Sequence, residues 1–270
     1  MATGRMRFYS AALCGQVNFS FVLTDDFPPF IRQNNSYYNR PAKTLYLLHG
    51  YSGNDADWEY NGIAEDVAAK YNLNVIMVNG GNEFYLDRPA SGRQYCTFTG
   101  KEIVDFTRKA FGLSDRREDT LIGGLSMGGF GALHTGLAWP DTFGGVIALS
   151  SALILHAIAG MKPGTIQQDI MANFDYYHEV FGDLDHVLAS DANPEVLYDR
   201  LAREGHVIPS IYMAIGTEDF LYNDNQTFRR FLEERHADLK YEEGPGVHDW
   251  KFWNQYIGNG AEWLLKRMGD

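Results

Sequence analysis

The sequence predicts an α/β fold: a mostly parallel central sheet with an N-terminal antiparallel hairpin and helices on both faces. Three observations predict it. Short apolar runs, each too short for a comfortable helix, alternate with segments of helical pattern. Such alternation implies parallel strands joined by crossover helices. The chain opens on two β-prone runs separated by a Gly-containing break, which reads as a hairpin.

Taken in order, Arg7 to Leu13 and Gln16 to Leu23 are the hairpin strands, with Cys14-Gly15 between them. Pro28-Pro29 closes this section, and the polar, turn-rich stretch Asn34 to Pro41 reads as a loop. Thr44 to Leu48 and Leu73 to Val78 are strands, with the helical pattern Ile63 to Lys70 between them. Lys101 to Phe111 is a second helix. Thr120 to Gly123 is a strand, and Met127 to Ala138 is a helix stopped by Trp139-Pro140. Phe130, Leu133 and Leu137 form the expected buried stripe of that helix. Gly145 to Leu149 and Ser210 to Ile215 are strands, and a helix follows from about Asn225 to Glu234. Leu239 to Glu242 is a last short strand, and Trp250 to Lys266 is the final helix. Ser151 to Ile208 breaks the rhythm. It is long, mixed and aromatic, and reads as an insertion over the strand ends. The expectation is one domain, 1–270, with a partial lid at about 151–208.

Composition narrows the function. The 270 residues carry 23 basic and 35 acidic side chains, a formal charge of −12. That balance disfavours nucleic acid, whose phosphates require clustered Lys and Arg, and disfavours anionic membranes. No run of about 18 apolar residues suggests a membrane span. The first nine residues lack the apolar core of a signal peptide. Cys14 and Cys96 cannot form a disulfide framework, and reduced thiols in a cytoplasmic protein are expected. Neither a metal-ligand spacing nor a nucleotide-binding loop stands out, so no metal and no cofactor is expected.

The strongest local signal is Gly124-Leu125-Ser126-Met127-Gly128. This G-x-S-x-G sequence lies after a predicted strand and before an apolar helix, the setting of a nucleophile elbow. A serine on so sharp a turn sits in crowded backbone, and Gly124 and Gly128 relieve the crowding. Gly129 and Gly131 let the following helix approach the sheet. A bare pentapeptide of this kind also arises by chance; its setting is what gives it weight.

A serine nucleophile needs a base, and the chain order of an α/β-hydrolase is serine, acid, histidine. That order excludes His49 as the base, and His134 should point away from Ser126. His248, in the turn-forming stretch Gly244 to His248, is favoured over its rival His236, which reads as an exposed helix end. For the acid, Asp219 on the loop after Ser210 to Ile215 is favoured over its neighbour Glu218 and over Asp224; the plainer reading is that Asp219 only caps the next helix. Oxyanion donors are expected from the backbone N–H of Met127 and from the loop at His49 to Gly53, most simply Tyr51. His49 reads as a buttress of that loop.

With these residues in view, the chain resembles the Putative esterase (esterase D-like) family of α/β-hydrolases, in its tributyrin esterase and feruloyl esterase branch. HGYSGN (His49 to Asn54), GLSMGG (Gly124 to Gly129) and GVHDWKFW (Gly246 to Trp253) carry the likeness, supported by FGDLDHVLASDANP (Phe181 to Pro194). The resemblance implies the α/β-hydrolase fold, with Ser126 as nucleophile, Asp219 as acid and His248 as base. It implies oxyanion donors at Tyr51 and Met127, with Trp250 and Trp253 near the histidine loop. It also suggests a homodimer or homotetramer.

The function expected is a serine carboxylesterase that hydrolyses short- to medium-chain acyl esters, including acetylated or feruloylated carbohydrate esters, through an acyl-enzyme. The alternative is an acyltransferase, or a thioesterase like S-formylglutathione hydrolase with Cys96 near the site. A non-catalytic carbohydrate-binding protein on the same fold is a third reading.

Overall fold

A computed structural model describes residues 1–24, 26–165 and 172–269. Ten strands form among the described residues, eight of them in one sheet. They are β1 (Ala2–Ser10), β2 (Gly15–Leu23), β3 (Lys43–Leu48), β4 (Leu73–Val78), β5 (Asp87–Arg88), β6 (Arg93–Gln94), β7 (Thr120–Leu125), β8 (Gly145–Leu149), β9 (Ser210–Gly216) and β10 (Leu239–Gly244). The large sheet runs β1-β2-β4-β3-β7-β8-β9-β10, and β5 and β6 make a separate two-stranded ribbon. β1 pairs antiparallel with β2, and β2 antiparallel with β4; the other neighbours are parallel. This is the mostly parallel α/β sheet expected, with its N-terminal hairpin. The hairpin turn lies at Ala11 to Cys14, so the first strand starts earlier and ends sooner than composition suggests.

Seven helices of eight residues or more accompany it among the described residues: α1 (Ala64–Tyr71), α2 (Ile103–Phe111), α3 (Met127–Ala138), α4 (Phe174–Phe181), α5 (Pro194–Glu204), α6 (Tyr222–Glu234) and α7 (Trp250–Arg267). The segment expected to begin α2 at Lys101 is instead a π-helical stretch, Phe98–Glu102. The loop expected at Asn34 to Pro41 contains a single 3₁₀ turn, Ser36–Asn39, capped by the Asn35 side chain.

Alternation along each strand divides the core in two. Tyr46, Leu48, Ile76, Ile122, Val146 and Met213 face one side of the sheet, with Phe130 and Leu133 of α3. Leu45, Leu47, Val75, Leu121, Ile147 and Tyr212 face the other, with α1 and α7. The insertion contributes α4 and α5 to the first side, and Tyr177, Phe181, Leu197 and Leu201 join that core. As a result α3 is buried from Met127 through Leu137, not along one stripe. The sheet covers one flank and the insertion covers the other. The expected lid also spans 166–171, which lie outside the described residues.

Ser126 sits between β7 and α3 at φ +55° and ψ −120°, a strained conformation for a residue with a Cβ. Its backbone is held on both sides. Its N–H donates to the Leu149 carbonyl (2.8 Å), and its carbonyl accepts from the Ala152 N–H (3.0 Å). A methyl on Gly124 would lie 2.3 Å from the Gly128 carbonyl oxygen, and one on Gly128 would lie 2.5 Å from that of Leu48. The two glycines therefore permit the turn by close backbone approach. Gly131 has a different role from the one expected: it makes room for the ring of Tyr85, 2.3 Å from its virtual Cβ, and Gly136 is the residue that admits Val146 of the sheet.

Gly128→Ala is expected to destabilise the fold by about 1–3 kcal/mol, because the obstructing atoms are backbone and cannot rotate away. Chemical denaturation should show the midpoint falling with little change in slope.

Candidate active site

The carboxyl ends of the parallel strands carry Ser126, Asp219, His248 and the His49 to Gly53 loop, as expected for an open α/β sheet. Asp219 follows β9 and His248 follows β10. The imidazole Nδ1–H of His248 donates to Asp219 Oδ2 at 2.8 Å, across 29 residues of chain. The Asp219 side chain is fully buried and that of His248 is 19% exposed. With Nδ1 as donor, the lone pair is left on Nε2, the tautomer a general base requires.

Asp219 uses both of its carboxylate oxygens. Oδ1 accepts from the Leu221 N–H (2.9 Å), fixing the turn before α6, while Oδ2 holds the histidine. Glu218, its rival, fastens the histidine loop, since its carboxylate accepts from the Gly246 N–H at 2.6 Å. Asp224 lies elsewhere, on α6 beside a small cavity with His156 and Glu195. His236 is exposed beyond the end of α6, and His134 is buried against the insertion.

Two aromatic rings frame His248. Trp253 meets it edge to face at 4.9 Å, and Phe220 lies at 4.6 Å on a strongly exposed ring. Trp250 packs on Trp253 and on Trp58. Trp253 Nε1–H donates to Ser150 Oγ (3.0 Å) at the end of β8, the strand whose Leu149 carbonyl anchors Ser126. One continuous set of contacts thus runs from the histidine ring to the Ser126 backbone. Ser126 itself is 6% exposed.

The loop after β3 completes the arrangement. His49 is buried, with Nδ1–H donating to the Gly50 carbonyl (2.7 Å) and Nε2 accepting from the Gly80 N–H (2.9 Å). The Gly53 N–H donates to that same Gly50 carbonyl (3.2 Å). No peptide among the described residues is cis, so the Tyr51 N–H points opposite to the Gly50 carbonyl and away from His49. The peptide lies beside the elbow, because a methyl on Gly50 would come 3.5 Å from Ser126 Cβ. Met127 opens α3, where the N–H groups of the first turn have no intrahelical acceptor. His49 is therefore the buttress that the sequence suggested. Tyr85, Ser150, Phe220 and Asn225 were not singled out. Consecutive left-handed residues at Phe84 and Tyr85 have no sequence signature, and Asn225, which ties α6 to both the N–H and the carbonyl of Ser151, looks like an ordinary helical polar residue.

Burial lowers the pKa of both His49 and His134. Each is neutral in the folded protein, and the unfolded chain takes up protons first. Their contribution is complete above the unfolded value of about 6.5 and is lost as pH falls from there. The thermal midpoint should decline on acidification below about 6.5, and His134→Phe should flatten the decline.

Cys14 is exposed and Cys96 buried, and both are free thiols. Burial pushes the Cys96 thiol up to about 12. No group of three or more His, Cys, Asp or Glu that could hold a metal occurs among the described residues. Among them, no helix is long and apolar enough to cross a membrane.

Known proteins match this chain over nearly its whole length. A family model described as Putative esterase matches residues 10–263. The chain is 42% identical over 266 residues to an acetyl esterase of Caldicellulosiruptor saccharolyticus, covering 98% of this chain and 99% of that one. It superposes on a fluorophosphonate-binding serine hydrolase of Staphylococcus aureus with a TM-score of 0.83 at 29% identity, covering 98% of each chain. An S-formylglutathione hydrolase of the same organism gives 0.81 at 28% identity, again covering 98% of each.

Proposed function

The chain belongs to the Putative esterase family of α/β-hydrolases and is a serine esterase acting on small-molecule carboxylic esters; from that premise we propose which residues act and on what. Ser126 is the nucleophile, His248 the general base and Asp219 the acid that holds it, with the N–H groups of Tyr51 and Met127 as oxyanion donors. The observation that carries this reading is the hydrogen bond between His248 Nδ1 and Asp219 Oδ2.

His248 Nε2 takes the Ser126 proton as Oγ attacks the ester carbonyl. The two backbone donors stabilise the tetrahedral oxyanion. The imidazolium, stabilised by the buried Asp219 carboxylate, protonates the departing alkoxide. Water, activated by the same imidazole, then releases the acid from the acyl-enzyme.

The substrates proposed are short- to medium-chain acyl esters, acetylated or feruloylated carbohydrates among them. The acetyl esterase relative, matched end to end, supports the acetyl group. The exposed Phe220 and Val247 beside His248 offer an apolar surface to the alcohol. Hydrolysis takes precedence over acyl transfer because that relative is named for it. The thioesterase alternative gains nothing from Cys96. Its thiol is buried and faces a cavity lined by His134 and Trp139, with no member of the proposed triad. A panel of p-nitrophenyl and sugar esters of increasing acyl length tests the proposal. Acetyl to butyryl preference supports it, and exclusive turnover of thioesters overturns it.

His49→Ala is expected to lower kcat by about 10²–10³, because the Gly50–Tyr51 peptide loses its anchor and one oxyanion donor with it. KM should move little, as the side chain itself is remote from solvent.

The remaining readings are coarser. Residues 1–270 act as one domain, with 151–208 a partial lid. Two free thiols suit a reducing, cytoplasmic setting. The outer edge of β1, nine residues long, is a surface that a second copy can extend into a homodimer or homotetramer. Sedimentation of the purified chain measures that state.

A further inference from the structure

Ser52, next to Tyr51, sits at φ +63°, in the left-handed region that a residue with a Cβ adopts at a cost. Such a conformation persists where surrounding structure fixes it. Here the segment after β4 does so. The Ser52 N–H donates to Asn82 Oδ1 at 2.7 Å. On either side of Asn82, the Gly80 N–H and the Tyr85 hydroxyl both bond to His49, at Nε2 (2.9 Å) and at the carbonyl (3.1 Å). The peptides flanking Tyr51 are therefore both anchored. His49 and the Gly53 N–H hold the carbonyl of the first, and Asn82 holds the N–H of the second.

Asn82 is in turn held from the insertion. The Tyr176 hydroxyl of α4 donates to the Asn82 carbonyl at 2.6 Å, across 94 residues of chain. The Tyr176 ring meets the Tyr51 ring edge to face at 5.8 Å. The helix is a firm platform for these contacts. Tyr177, Val180 and Phe181 are buried in the core on that side of the sheet. The Asn173 side chain caps the first turn by accepting from the Tyr176 N–H (3.0 Å). Arg93 pairs both with Glu179 of the helix and with Glu83, the neighbour of Asn82. Burial raises the pKa of the Tyr176 phenol, so it keeps its proton and remains a donor at neutral pH.

We propose that Tyr176 is a positioning residue for ester hydrolysis: its hydroxyl fixes Asn82, Asn82 fixes Ser52, and the Tyr51 N–H is thereby kept aimed at the oxyanion. This rests on the reading of Tyr51 as an oxyanion donor. The insertion then steadies the donor geometry as well as covering α3. Acylation and deacylation both pass through an oxyanion, so both steps draw on that geometry.

The test compares Tyr176→Phe, Asn82→Ala and the double variant in the full chain. Phenylalanine keeps the ring against Tyr51 and removes only the hydroxyl. With p-nitrophenyl acetate, Tyr176→Phe should lower kcat about three- to tenfold, the effect of one lost hydrogen bond, with KM changed by less than about twofold. Butyl trifluoromethyl ketone adds to a serine nucleophile and leaves an oxyanion in the same place. Its inhibition should weaken by the factor by which kcat/KM falls. A merely structural role would lower the thermal midpoint and leave both readouts unmoved. The double variant should lose no more than Asn82→Ala alone, because the two residues act in series. Unchanged kcat in a folded Tyr176→Phe overturns the proposal. So does a raised KM with kcat intact, which would make Tyr176 a wall of the substrate pocket. Additive losses in the double variant overturn the route through Asn82. His49→Ala is measured alongside. An impaired His49→Ala beside a fully active Tyr176→Phe rejects the role of Tyr176 and keeps Tyr51 as donor; full activity in both rejects the Tyr51 donor, and the proposal with it.

Discussion

Ser126→Ala is expected to reduce kcat toward p-nitrophenyl acetate and butyrate by about 10⁶, the largest effect of any single change here. In the proposed mechanism the hydroxyl oxygen is the atom that bonds to the acyl group. The rate that survives should come from the backbone donors alone, acting on a bound ester attacked by water. The turn should persist, because its geometry is fixed by the Leu149 and Ala152 hydrogen bonds and by Gly124 and Gly128, not by the serine side chain. An unchanged thermal midpoint with loss of fluorophosphonate labelling would separate lost chemistry from lost structure. Turnover within tenfold of the unsubstituted enzyme would remove Ser126 from the mechanism.

Asp219→Asn should come second, lowering kcat by about 10⁴ with KM little altered. The carboxylate divides its oxygens between the Leu221 N–H and the His248 Nδ1–H. An amide can keep the first bond and turn its NH₂ toward the imidazole. Nδ1 would then have to accept, the proton would sit on Nε2, and the proposed base would have no lone pair to offer Ser126. Glu218→Gln is the control next door. An amide oxygen can still accept from the Gly246 N–H, so its kcat should fall by less than about tenfold. Comparable losses in both variants would point to a disturbed loop, not to a tautomer.

These two expectations differ in how far the sequence alone could support them. The elbow was legible because its causes are local. Gly124 and Gly128 obstruct one turn, and strand and helix lie immediately on either side. The hairpin, the parallel strands and the boundaries of α3 and β8 were legible for the same reason, through periodicity over a few residues. The identity of the acid was a choice among Asp219, Glu218 and Asp224, and of the base a choice between His248 and His236. Local sequence offered each candidate a plausible setting.

Tertiary structure decided what periodicity could not. Registry of β9 against β10, pairing Gly216 with Gly244, puts the Asp219 loop beside the His248 loop and leaves Glu218 to tie the latter down. The insertion closed over α3 and buried a helix that reads as amphipathic at best, and it brought Tyr176 to Asn82 from a distant part of the chain. The His49 imidazole became a backbone anchor only because β4 delivers the Gly80 N–H to its second nitrogen. The sequence by itself determined where strands and helices form and where a serine could be strained, since those depend on sterics and hydrogen bonds between near neighbours. Which carboxylate meets which imidazole depends on long-range packing of the sheet, whose free energy is shared among many residues and written in none of them singly.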